Sequence, residues 1–113
     1  MLKYSESLDV LFSALADPAR QHIVDQLSTG PASVSDLAKP LDMTLPAVVQ
    51  HLKILESSGL VRSEKRGRVR TCELDVQRLE EVEVWIRNRR TFWQNALTRL
   101  GDVLMEEEVD NEQ

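Results

Sequence analysis

Gln50 carries an amide that donates and accepts at once, the arrangement that pairs with the major-groove edge of adenine. Val49 beside it offers a methyl contact to thymine, as does Leu45 a turn earlier. Thr44 and Lys53 suit phosphate oxygens, and Pro46 shares their side of the segment. Further on, Arg62, Lys65, Arg66, Arg68 and Arg70 crowd around Gly67. Cations at that density neutralise phosphates. Arg68, with Arg66, is the natural tip to reach a minor groove or its flanking phosphates, while Arg62 and Arg70 broaden the field. Base-edge chemistry and backbone chemistry thus fall within residues 44–70.

These groups need a helix and a hairpin to hold them. Thr44 is a suitable N-cap, and Pro46 falls in the first turn, where no donor is needed. Leu45, Val48, Leu52 and Leu55 recur at steps of three, four and three, which predicts a buried stripe. The opposite side is almost free of acid until Glu56. Ser58-Gly59 ends the helix, because glycine takes the left-handed conformation cheaply. Strands over residues 60–65 and 68–74 then form a wing about Gly67.

Upstream, one helix is expected over residues 5–15, with Leu8, Leu11, Phe12 and Leu15 on one face. Asp17-Pro18 starts a second through Ile23, Val24 and Leu27, and Gly30-Pro31 stops it. A short third helix runs from Ser33 or Ser35 to Lys39, with Val34, Leu37 and Leu41 facing inward, and Asp42-Met43-Thr44 turns into the fourth. The expected fold is mainly α with a two-stranded β-wing. It is a winged helix-turn-helix of about five helices in a single domain, residues 1–113. The helix-turn-helix covers about 33–58 and the wing about 60–74.

The last helix, expected over about 75–106, carries a second message. Leu79, Val82, Ile86, Trp93, Leu97, Leu100 and Leu104 form one apolar stripe, and Trp85, Phe92, Ala96 and Val103 run beside it. So wide a face exceeds what one small domain covers, which predicts a homodimer. Leu8, Leu11, Phe12, Trp93, Leu97, Leu100 and Leu104 are the expected interface residues, on dimerisation helices 5–15 and 75–106.

Net charge of −5 argues against a nucleic-acid partner until its distribution is read. Residues 39–70 hold seven basic and three acidic side chains; residues 1–38 hold two and five, and residues 71–113 five and eleven. The positive field is confined to the segment with the groove-sized helix. No run is apolar enough to span a membrane, and the N-terminus lacks the features of a signal peptide. The single cysteine, Cys72, excludes an internal disulfide and fits a reducing cytoplasm. In phase with Leu74, it is expected to point inward as a small hydrophobe.

Catalysis has little to stand on: no nucleophile elbow, phosphate loop or zinc-protease motif is present. His22 and His51, without a nearby cysteine, are expected to pack or to hydrogen-bond rather than to hold zinc. Glu83 and Arg87 form an i,i+4 surface pair.

With these residues placed, the chain resembles the ArsR family of small bacterial winged-helix repressors over nearly its whole length. The segments LADPARQHIVDQL (15–27), SVSDLAKPLDMTLPAVVQHLKILESSGLV (33–61) and GRVR (67–70) carry the resemblance. It implies a dimer through the first and last helices, the fourth helix in a major groove, and repression of a nearby operon. Metal-sensing members carry two cysteines where this chain has Ser33 and Ser35, and others place histidines on a last helix that here has none. Serine hydroxyls are poor ligands for thiophilic ions, so no metal and no cofactor is expected. The expected function is sequence-specific duplex-DNA binding as a cytoplasmic homodimeric transcriptional repressor on an inverted-repeat operator, without enzymatic activity. The competing class is a dimeric protein-interaction scaffold of the same fold.

Overall fold

Capping side chains set where the helices begin. Asp17 is extended and its Oδ2 accepts from the backbone N–H of Arg20 at 3.1 Å; Pro18 follows in the first helical position. Ser33 accepts from Asp36 N at 3.1 Å, Thr44 from Ala47 N at 3.3 Å, and Asp75 from Arg78 N at 3.2 Å. In the computed structural model, which describes residues 2–112 and the side chains of 8–108, these caps open four of five helices. The order is α1 (Leu2–Ala14), α2 (Pro18–Leu27), β1 (Ala32–Ser33), α3 (Val34–Ala38), α4 (Leu45–Ser57), β2 (Val61–Arg66), β3 (Val69–Leu74) and α5 (Val76–Glu112).

The sheet has three strands rather than the expected two. Its order is β1-β3-β2, with β1 pairing antiparallel to β3 through Ala32↔Cys72 and Ser33↔Thr71. A strand of two residues has no periodic pattern to read. The last helix runs beyond the expected 106 to Glu112.

The chain divides into two units, residues 1–81 and residues 82–113. In the first, Leu8, Leu11, Ile23, Val24, Leu27, Leu37, Val48, Leu52, Leu55, Leu60, Val61 and Cys72 are buried. All five described helices contribute to this unit, and the helix-turn-helix and wing lie wholly within it. The second unit is helical throughout its described length. Among the described residues no helix is long and apolar enough to cross a membrane.

Candidate nucleic-acid interface

α4 buries Val48, Leu52 and Leu55 and turns Leu45, Pro46, Val49, Gln50 and Lys53 outward. Leu45 departs from the expected buried stripe: it is 51% exposed, because the first helical position precedes the turn that packs. The outward residues therefore line one side of the helix, at offsets of one, four, five and eight from Leu45.

The far end of α4 is closed tightly. Gly59 N donates to Glu56 O at 3.0 Å and Leu60 N to Leu55 O at 3.2 Å, which is the Schellman pattern. Leu55 and Leu60, the residues that pattern brings together, are both fully buried. Gly59 has a φ of 84°, which favours glycine, and a Cβ there would press on the Arg78 side chain, whose Nε lies 3.0 Å away. That Nε donates to Ser58 O at 2.9 Å, tying the first turn of α5 to the end of α4.

β2 and β3 pair from Val61↔Leu74 to Arg66↔Val69, leaving Gly67 and Arg68 as the loop. Gly67 has a φ of 63° while Arg68 does not have positive φ, as a type II′ turn requires. Alternation then splits the cations. Lys65 and Arg70 are cross-strand partners on the face that also carries the buried Val61 and Cys72. Arg62 and Arg66 lie on the other face among acids. There Arg62 meets Glu73 at 3.4 Å and Arg66 meets Glu64 at 3.2 Å. The pleat thus divides the wing cations between two faces, and Arg62 and Arg66 each face a carboxylate. Arg68 at the tip and Lys65 form no ion pair among the described residues. The two-residue period of the strand places Lys65 opposite Arg70.

Arg70 donates to Ser63 Oγ at 2.7 Å, and Ser63 donates in turn to the Glu56 carboxylate on α4. This bridge joins the wing to the helix. Cys72 beneath it is fully buried, as its phase with Leu74 predicts. Burial pushes the thiol pKa up, Glu56 adds to the rise, and Arg70 opposes it. The thiol is therefore held in its unreactive protonated form.

Behind α4, the Arg20 guanidinium donates through Nε to Ala14 O at 2.7 Å and through Nη2 to Ser13 O at 3.3 Å. Its Nη1 lies 3.1 Å from His51 Nδ1. His51 thus has the hydrogen-bonding role expected of it, whereas His22 is exposed. The Asp17 carboxyl sits below its ordinary range, chiefly through the Arg20 backbone N–H, with the charge of Arg20 adding to the effect.

Of the expected interface residues, Leu8 and Leu11 are corrected: they are 5% and 0% exposed within the chain and serve its core. Phe12 keeps 36% of its surface. On α5, Trp93, Leu97, Leu100 and Leu104 are all more than half exposed, as is Phe92, whose ring meets Trp93 edge to face at 5.8 Å. Ser33 is occupied in capping α3 and Ser35 is exposed.

The profile of the bacterial regulatory proteins of the arsR family matches residues 17–63, from the start of α2 into the wing. The HTH-type transcriptional regulator Rv2034 of Mycobacterium tuberculosis is 36% identical over 104 residues, covering 92% of this chain and 94% of that protein. An arsenical resistance operon repressor of Staphylococcus xylosus is 30% identical over 81 residues, 72% of this chain and 77% of its own. The solved ArsR family transcriptional regulator RHA00566 superposes with a TM-score of 0.75 at 46% identity, over 80% of this chain and 93% of that one.

Proposed function

The chain belongs to the arsR family of bacterial regulatory proteins and is a DNA-binding transcriptional regulator, and on that premise we propose that it acts as a homodimeric repressor at an inverted-repeat operator. The observation that carries the reading is the outward side of α4: Leu45, Pro46, Val49, Gln50 and Lys53 stand clear of the core without an intervening acid. Gln50 reads adenine through paired hydrogen bonds, Val49 and Leu45 touch thymine methyls, and Thr44 and Lys53 hold phosphates. Arg68 leads the wing, with Lys65 and Arg70 behind it, and Arg62 and Arg66 contribute less because each already faces a carboxylate.

The dimer forms through the apolar residues 92–104 of α5, with Phe12 as the contribution of α1. Burying each large side chain fully is worth roughly 1.5–3 kcal/mol before entropy is counted. Two copies then set half-site centres about one helical turn apart, ~10 bp, or a multiple of it. Repression takes place in the cytoplasm and needs no catalytic group or metal at the positions of Ser33 and Ser35.

Selection of duplexes from a random pool, followed by a salt titration, tests this. An enriched inverted repeat is expected, with affinity falling ~10³-fold or more between 50 and 200 mM salt if at least six phosphates are contacted. Failure to bind any duplex at low salt would instead favour the scaffold.

A further inference from the structure

Arg20 occupies the first turn of α2, yet all three of its guanidinium nitrogens are spent elsewhere. Two reach Ser13 O and Ala14 O in the final turn of α1, where carbonyls have no partner within their own helix and the helix end is negative. The third reaches His51 in the middle of α4. Guanidinium has no acceptor, so the bond requires His51 Nδ1 to offer its lone pair, with the ring proton on Nε2. The imidazole is 18% exposed, and Asp17 Oδ2 stands 3.8 Å from the same nitrogen. One planar cation therefore spans two helices that have no covalent neighbourhood in common, a geometry a lysine ammonium does not reproduce.

What this joins is the body of α4, behind its outward residues, to the end of α1. His51 follows Gln50 in the chain, and Gln50 and Lys53 share a groove with Asp9, Val10 and Ser13 of α1. A shift of α4 against α1 moves Gln50 directly, and reading a base edge tolerates little misplacement. We propose that Arg20 and His51 are positioning residues for DNA reading, fixing α4 against the end of α1 so that Gln50 meets its base pair in register. The proposal rests on the assignment of α4 as the reading helix.

The test uses full-length protein carrying His51→Leu, His51→Asn or Arg20→Lys. Each is measured against the duplex that the wild type enriches from a random pool, and against a scrambled duplex of the same length. His51→Leu and Arg20→Lys should cut the ratio of the two affinities by about tenfold. His51→Asn should restore most of it, because its Oδ1 takes the place of Nδ1. Adding His51→Leu to Arg20→Lys should cost nothing more, as expected of two groups acting through one bond. Amide exchange without DNA provides a second readout: residues 13–16 and 48–52 should exchange faster in His51→Leu and Arg20→Lys but not in His51→Asn. If His51→Asn fails like His51→Leu, ring packing rather than the acceptor matters and the proposal falls. Faster exchange with unchanged selectivity would reduce the link to a structural one and overturn it too. If the wild type enriches no sequence, the reading role of α4 fails; unchanged exchange in His51→Leu would separately remove the α1–α4 link.

Discussion

On α4 the exposed apolar residues Leu45 and Val49 are interleaved with Gln50 and Lys53, and a buried stripe on the other side anchors the helix. On the outer part of α5, Phe92, Trp93, Leu97, Leu100, Val103 and Leu104 stand exposed together, each at least half open to solvent. Both helices leave hydrophobic side chains in water, but in different patterns. Scattered methyls between polar groups suit contacts to individual bases, where one thymine methyl is met at a time. A continuous stripe suits a surface of equal kind and length.

The comparison breaks first at α5. Leu97→Glu buries an unpaired charge at the proposed interface and should convert a dimer to a monomer by sedimentation at micromolar concentration. Operator affinity should fall by 10²-fold or more, the scale set by losing a tethered second half-site, while affinity for one half-site is nearly kept. An unharmed dimer would leave the stripe without its assigned partner. On α4, Gln50→Ala should cost about 1–3 kcal/mol at particular base pairs and little elsewhere. Equal loss on every sequence would remove Gln50 as a reader. The wing sharpens the contrast. Arg68→Ala should weaken all duplexes alike and lower the salt slope by ~1, while Arg62→Ala, which releases Glu73 as well, should change it less. A larger effect from Arg62 would mean that its ion pair opens on DNA.

A smaller effect concerns acid. The Asp17 carboxyl is held below its ordinary 3.8, so its contribution to stability is present above that value and is lost as pH falls through the lower folded value. Asp17→Asn, which keeps a capping oxygen, should flatten that limb of an acid-unfolding curve by lowering neutral stability slightly while leaving stability at acid pH nearly unchanged. Least of all should metal matter: with Ser33 engaged as a cap, operator affinity measured with and without chelator should be equal.

Local rules made much of this legible. The caps at Asp17 and Thr44, the stop at Gly59 and the turn at Gly67 each follow from one or two residues, and each lies where the sequence places it. Long-range partners were not legible. Nothing near Arg20 in sequence points to the Ser13 and Ala14 carbonyls and His51, and nothing near Arg62 names Glu73 as its partner. Leu8 and Leu11 carry the same periodic signal whether core or interface covers them, because periodicity reports a face and not its occupant. The pairing of Lys65 with Arg70 is a different case, since strand alternation about Gly67 already holds that information.

The burial of Cys72 has a practical use. With the only thiol inaccessible and protonated, maleimide chemistry on the folded wild type should be slow, and a cysteine introduced at an exposed position becomes the preferred point of attachment. A spin label or fluorophore at position 68 would then report on the wing tip, and one at position 97 on the outer part of α5, each without first removing the native cysteine.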